Sequence, residues 1–371
     1  DGVTSNAAEL NILDGVTSNA AELNILDGVT SSTAELNILT GVTATSAQLN
    51  FVVGVTSNIQ TQLDSKGTSS ITGLSGLSDV NIANNTMLIG NTADNMVKSA
   101  SDNAVSNIGI GRTSLDALTD GDQNIAIGQN SLDALTTGSN NVAIGHNSLS
   151  ASNDSYNIAI GTNALQAGTT ASQNVAIGGN AMSASTTADF NIAIGQNALT
   201  ANTQSANNIA IGWNALKTLN GSTTNDAKNN VAIGRDAMEL ATEGIQNTFI
   251  GAFAGDELLD SDNNTAIGYN ALGKVKTGDK NTAVGAQALQ EANDLNNGAT
   301  NKALENTAVG FDALGDLTYG DYNVGIGKNA GNIIRGGMSN VFIGSGANVP
   351  SNNFGATNRI AIGKGATVSA N

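Results

Sequence analysis

The side chains that could perform chemistry in this chain are few, and they form no catalytic arrangement. The single histidine, His146, follows a glycine at a position that elsewhere holds arginine, glutamine, threonine, tryptophan or lysine. A position that accepts such different residues is expected to be exposed, and a lone exposed histidine does not make a general base. Glycan hydrolysis would need a carboxylate pair in a cleft, whereas the paired acids here lie in variable loops. We therefore expect no enzymatic activity.

Two acidic loops resemble the start of a calcium-binding loop. In each loop two aspartates stand two residues apart and an asparagine follows, the order D-x-D-x-N that supplies oxygen ligands to Ca²⁺. The glutamate that completes such a loop is missing, because Ser131 and Ala271 hold those places. Calcium binding and a purely structural role both remain open. The four aspartates are Asp120 and Asp122 in one loop and Asp260 and Asp262 in the other.

Three aromatic residues occupy the same type of position as His146, immediately after a glycine. They are Trp213, Tyr269 and Phe311. Exposed aromatic side chains can stack on sugars or bind a protein partner. Single exposed aromatics are also common on ordinary protein surfaces. Contact of these three residues with a host cell-surface glycan is one hypothesis, and a scatter of surface aromatics is the other.

The composition limits the class of protein and of partner. The chain has 371 residues, a net charge of −17, no Cys, and only 3% aromatic residues. The negative charge disfavours nucleic acid and anionic membranes, and no run approaches the roughly 18 apolar residues of a membrane span. We expect no nucleic acid, no membrane insertion and no disulfides. Calcium, as above, is the one cofactor the sequence leaves open.

A five-residue phrase recurs about fifteen times through residues 107–371. It reads Asn, then Ile, Val or Thr, then usually Ala, then Ile or Val, then Gly. Successive copies are mostly 17 residues apart, with longer steps before Asn230 and Asn306. Such a period predicts a stack of repeats in which no unit folds alone. We assign structural roles to Asn124, Ile125, Ile127, Gly128, Asn141, Ile144, Gly145, Asn191, Ile194, Gly195, Asn264, Ile267 and Gly268.

The phrase itself predicts a short β-strand that ends at a glycine corner. Its second and fourth residues share one face and its small third residue lies on the other. Both faces are apolar, so we expect one to line the interior and the other to meet a neighbouring chain. We expect the small third residue to lie on the face that a single chain would leave wet. The first residue, Asn, could form a ladder of stacked amides between repeats.

The period also selects among repeat folds. A leucine-rich repeat needs at least about 20 residues, and a crossover helix alone takes about ten or more. A parallel β-roll or β-solenoid with 17-residue rungs is therefore the predicted architecture of residues 107–371, with an atypical C-terminal end.

The N-terminal residues 1–65 carry a different period of five 13-residue units, as in DGVTSNAAELNIL at 1–13. The sixth residue of each unit is a good helix N-cap, and four units carry Glu or Gln three positions later. A glycine ends each short helix and an extended step follows. We predict a shaft of helix, turn and extended repeats, joined through residues 66–106. Residues 86–90 resemble a degenerate early copy of the longer repeat.

The NxAIGxNAL phrase resembles the head repeats of trimeric autotransporter adhesins, and is still more similar to arrays in phage tail-fibre proteins. The segment NTAIGYNAL at 264–272 matches the latter nearly letter for letter. The AAELNILDGVT units of 1–52 and the segment GVTSNIQTQLDSK at 54–66 also resemble tail-fibre repeats. The resemblance implies trimeric, left-handed β-rolls and favours a phage fibre.

These observations together predict a structural fibre protein of a virion. Three identical chains would form a rigid rod that presents or extends a receptor-binding tip, alongside other tail or fibre proteins. The alternative is the head of a trimeric adhesin on a bacterial surface, which binds host or matrix ligands. The first predicts an extracellular virion component, and the second a cell-surface protein.

Overall fold

A computed structural model describes residues 80–83, 86–89, 104–221, 227–291, 303–351 and 353–368. All of them belong to the compact unit Thr68–Asn371. The predicted 13-residue repeats of 1–65, and most of the predicted joint at 66–106, lie outside the described residues.

The described chain is an all-β parallel solenoid in which each 17-residue rung contributes one three-residue strand. The strands form a single sheet, and β1 alone pairs antiparallel, with β2. The early phrase copy at 86–89 is thus the strand β2 and pairs in parallel with β3. The strands are β1 Val80–Ala83, β2 Thr86–Ile89, β3 Ile108–Ile110, β4 Ile125–Ile127, β5 Val142–Ile144, β6 Ile158–Ile160, β7 Val175–Ile177, β8 Ile192–Ile194, β9 Ile209–Ile211, β10 Val231–Ile233, β11 Thr248–Ile250, β12 Thr265–Ile267, β13 Thr282–Val284, β14 Thr307–Val309, β15 Val324–Ile326, β16 Val341–Ile343 and β17 Ile360–Ile362.

Strand pairing keeps the same register from rung to rung, so equivalent residues form columns. Ile125 lies opposite Val142, and Ile209 lies opposite Val231 although a longer loop separates them. The same register holds from β13 to β14 across the longest step. With about 4.8 Å between strands, the fourteen steps from β3 to β17 rise roughly 67 Å. No helix occurs among the described residues, and hence none long enough to cross a membrane.

Each rung turns its corners with left-handed residues. In the rung of β4 the φ angles are +57° at Gln123, +131° at Gly128, +56° at Asn130 and +50° at Leu132. An angle near +131° is open to glycine alone, which explains the fixed glycine at the end of the phrase. A Cβ on Gly128 would also lie 2.5 Å from the carbonyl oxygen of Gly145 in the next rung. Asparagine tolerates the left-handed region better than most residues. The corner that was predicted at the glycine therefore extends to the asparagine two residues later.

The core is a narrow column of alanine and leucine. The third phrase residue, such as Ala126, is fully buried and packs in one cluster with Leu132 and Leu135 from the turn that follows. The leucines that follow the phrase thus point inward. Phe249 and Phe342 replace the alanine in two rungs and are also fully buried.

The predicted orientation of the strand faces was wrong. The small third residue lies inside the single chain, and the second and fourth residues, such as Ile125 and Ile127, face outward and remain partly exposed. The physical reason is space, because the inward leucine already fills the narrow interior and leaves room for little more than a methyl group opposite it. The apolar surface that one chain leaves wet is therefore the isoleucine and valine face.

Candidate functional site

A buried asparagine ladder runs through the interior beside the strands, as the sequence predicts. The Asn124 side-chain Oδ1 accepts the backbone N–H of Asn141 at 3.0 Å and its Nδ2 at 3.1 Å. The Nδ2 of Asn124 also donates to the carbonyl of Gly138 in the next rung at 2.9 Å. The first phrase residue is fully buried in every rung up to Asn340. These asparagines are structural, since each satisfies buried backbone groups of its neighbours.

A second amide ladder, which was not predicted from the sequence, lies nearer the surface. It consists of the asparagine two residues after the phrase glycine, for example Asn130, whose Nδ2 donates to the Oδ1 of Asn147 at 2.9 Å. The ladder continues to Asn214, which donates to Asp236 at 3.0 Å. The signal was available, because this asparagine recurs with the same period as the first.

The aspartates of the two candidate calcium loops fall into two groups. Asp122 Oδ1 accepts the backbone N–H of Val105 at 2.8 Å, and Asp262 Oδ1 accepts that of Ile245 at 2.7 Å. Asp120 and Asp260 are exposed. In other rungs a serine hydroxyl or an aspartate carboxylate accepts the equivalent backbone N–H. The carboxylates of Asp122 and Asp262 therefore satisfy a backbone donor of the preceding rung. Among the described residues no group of three or more His, Asp or Glu side chains could hold a metal ion.

The outward strand residues form a continuous apolar face. The fourth phrase residue is Ile or Val in all fifteen strands from β3 to β17, and the second is Ile, Val or Thr. Ile194, Ile267 and Ile326 are 36%, 39% and 40% exposed in the single chain. We call this surface the Ile–Val face. A contiguous apolar strip of this length is characteristic of an interaction surface.

The three sequence-predicted aromatics are exposed at the corner after the glycine, where His146 also lies. The structure adds partners that the sequence did not reveal. The Arg235 guanidinium lies 4.4 Å above the Phe253 ring, and that ring meets Tyr269 edge-on at 5.9 Å. Lys328 lies 5.7 Å from the ring of Phe311. Three further exposed aromatics, Tyr156, Phe190 and Tyr322, occupy the position before the phrase asparagine.

Several carboxylates on the turns after the corner have altered acidity. Burial, reinforced by nearby Glu257 and Asp236, raises the pKa of Asp256 to about 6. Burial likewise raises the pKa of Asp133 and, with Asp312 nearby, that of Asp316. The Asp316 carboxyl lines a shallow depression with Glu291, Thr318 and Arg335. Asp316 is exposed, whereas Asp133 and Asp256 are partly buried.

The chain matches no known protein-family model and shows no significant match to a curated protein.

Proposed function

We propose that the chain is the shaft of a virion fibre, in which three copies associate along their Ile–Val faces. The observation that carries this proposal is the apolar fourth column, kept through fifteen successive strands on the outside of the single chain. Burying such a face removes apolar surface from water, which stabilises the assembly by about 25 cal/mol for each Å² buried. A closed ring of three chains hides every copy of the face, whereas an open arrangement would leave edges exposed.

The mechanism of such a shaft is geometric. Parallel rungs joined by hydrogen bonds and amide ladders make a stiff support, and threefold symmetry multiplies the weak contacts of a tip. The resemblance to tail-fibre arrays supports a virion, where the partners would be other tail or fibre proteins. The net charge of −17 favours a soluble rod.

Light scattering tests the association directly. We expect a mass three times the 37.1 kDa of one chain. Replacing Ile194 and Ile267 together by lysine should give monomers that keep the β-sheet circular dichroism, because both side chains point outward. The matched control places lysine at Gln196 and Ala286, which lie past the glycine corner, and should remain trimeric. A monomeric wild-type chain would overturn the trimer.

Electron microscopy of native particles tests the location. Rods labelled by an antibody to this chain should project from virions. Labelled rods on bacterial surfaces would instead favour the surface-adhesin alternative.

A further inference from the structure

A strip of aromatic and cationic side chains, three of them exposed and one, Phe253, partly buried, crosses four successive rungs beyond the glycine corners. It consists of Trp213, Arg235, Phe253 and Tyr269, which we call the aromatic strip. Backbone hydrogen bonds align these rungs, since Asp236 N–H donates to the Trp213 carbonyl and Phe253 N–H to the Arg235 carbonyl, each at 2.9 Å. Four consecutive rungs, about 4.8 Å apart, therefore each carry one large flat side chain, with Phe253 one residue beyond the column of the other three.

The strip is held in place before any ligand arrives. The Arg235 guanidinium lies 4.4 Å from the centre of the Phe253 ring, and its Nε lies 3.5 Å from the Asp236 carboxylate. Asp236 is in turn fixed by the Asn214 side chain at 3.0 Å. Fixing such side chains in advance reduces the entropy lost on binding.

The strip nevertheless stays accessible. Trp213 is 47% exposed, Tyr269 is 54% exposed, and the Arg235 side chain is 56% exposed. Between Arg235 and Tyr269 the residue at the same corner position is Ala252, whose small side chain leaves room above the middle rung. The surface is thus long, shallow and aromatic, and it offers guanidinium and indole N–H donors.

The charges around the strip disfavour an anionic ligand. The one cation of the strip, Arg235, is already paired with Asp236, and Glu239 is paired with Lys217 at 3.0 Å. Asp256 and Glu257 add further carboxylates on the rung of Phe253. An anion would therefore meet a surface with no uncompensated positive charge.

We propose that the aromatic strip binds a linear, uncharged oligosaccharide that lies along the solenoid with about one sugar ring per rung. The apolar face of a pyranose packs against an aromatic ring while its hydroxyls meet polar groups at the edges, a combination that this surface supplies. The rung spacing is close to the length of one residue in an extended β-1,4-linked glycan. The proposal gives the flank of the rod a binding role beyond that of a shaft, and it depends only on the surface of one chain.

Titration with hexasaccharides tests the proposal, and Trp213 is the sole tryptophan, so its fluorescence reports on the strip alone. Cellohexaose and the hexamer of β-1,4-linked N-acetylglucosamine are the neutral probes, and hexagalacturonate is the anionic one. We expect at least one neutral probe to change the Trp213 emission saturably, and hexagalacturonate to leave it unchanged.

The variants Phe253→Asn and Tyr269→Gln sharpen the test, because Asn130 and Gln129 show that the same positions accept these residues. Each variant should weaken binding roughly tenfold or more, as loss of a central aromatic contact does. The control is Tyr156→Ala with Phe190→Ala, which removes two aromatics of similar exposure from the other end of the strand. That control should bind like the wild type.

Two outcomes would overturn the proposal. One is no saturable emission change with either neutral probe, whether or not hexagalacturonate binds, and the other is an equal loss of binding in the Tyr156 and Phe190 control. An emission that responds to protein concentration but to no sugar would show that another protein chain covers the strip. The mass from light scattering is read separately, so failure of the sugar site and failure of the trimer are distinguishable.

Discussion

The ring of Phe249 fills the space that a side chain on Gly255 would need. A Cβ built on Gly255 would lie 2.3 Å from Cε1 of Phe249. In most rungs the same two places hold alanine and leucine, as Ala126 and Leu132 do, and all of these residues are buried. The rung of β11 has exchanged large and small residues while conserving the volume of a close-packed interior.

This exchange predicts that Phe249→Ala is strongly destabilising and that a second substitution rescues it. The single variant leaves a cavity and should lose about 3–5 kcal/mol of unfolding free energy. Adding Gly255→Leu recreates the ordinary alanine and leucine rung, and Gly255 already has a φ of +60°, close to the +50° of Leu132. Urea unfolding of the four proteins of this cycle measures the coupling.

Gly255→Leu alone is the matched control for that cycle. It forces a side chain into the space of the phenyl ring, so it should destabilise the protein as well. If the double variant is as unstable as the sum of the two single variants, the two positions do not share one volume and the interpretation is wrong.

The sequence predicted the strand, the corner and the first asparagine ladder because each follows from the period and from residue types. It could not orient the strand, since alternation fixes which residues share a face but not which face is inside. Phe249 and Gly255 could have supplied this information. Phenylalanine replaces alanine in the same rung in which glycine replaces leucine, and such a compensating exchange indicates that both residues lie in one interior. The contact between Arg235 and Phe253 was not predicted either. Phe253 stands at the position that holds the second ladder's asparagine in other rungs, and that ladder was not recognised in the sequence.

Two adjacent glycines provide a direct test of the corner. Gly178 has a φ of +134°, and a Cβ on it would lie 2.6 Å from the backbone of Gly195 in the next rung. A Cβ built on Gly179 would meet no heavy atom within 4 Å. Gly178→Ala should therefore lose at least about 3 kcal/mol, from backbone strain together with the clash.

Gly179→Ala should change the unfolding free energy by less than about 1 kcal/mol in either direction, since it removes only unfolded-state freedom. Chemical denaturation of both variants in the same buffer measures the difference. Equal effects of the two substitutions would show that the fixed glycine is not required by the corner geometry.

The first asparagine ladder should contribute far more stability than the second. Asn124→Ala deprives the buried Asn141 N–H of its acceptor at 3.0 Å and the Gly138 carbonyl of its donor at 2.9 Å. Each buried group left unsatisfied costs about 1–3 kcal/mol, so we expect a loss of roughly 2–6 kcal/mol.

Asn163→Ala provides the comparison within the second ladder. Its Nδ2 donates to Asn180 at 3.1 Å and its Oδ1 accepts from Asn147 at 3.3 Å, at a partly exposed position where water can replace both partners. The loss should stay at about 1–2 kcal/mol, mainly the cost of alanine at the φ of +57° of Asn163, because water replaces both hydrogen-bond partners. Thermal unfolding of both variants, followed by circular dichroism, would refute the ranking if Asn163→Ala proved the more damaging.

Asp256 predicts a pH dependence whose sign is opposite to that of a salt-bridged carboxylate. Because burial raises the pKa of Asp256 from 3.8 to about 6, the folded chain binds this proton more tightly than the unfolded chain. Its protonated form therefore favours folding below about pH 4, and this contribution is lost as the pH rises through about 6. Asp256→Asn keeps the shape of the neutral acid, so it should raise the melting temperature at pH 7 and leave it nearly unchanged at pH 4.

The difference in melting temperature between Asp256→Asn and wild type isolates this one group from the many other acids of the chain. It should grow between pH 4 and pH 6 and then level off. The control is Asp260→Asn, which removes the same charge from an exposed position. A difference for Asp256→Asn that is constant with pH, or that shrinks as the pH rises, would show that its carboxyl is not held in the protonated form by the fold. Asp256 lies on the rung of Phe253. Repeating the same pH titration with Trp213 emission as the readout would show whether ionisation of Asp256 changes the surroundings of the aromatic strip.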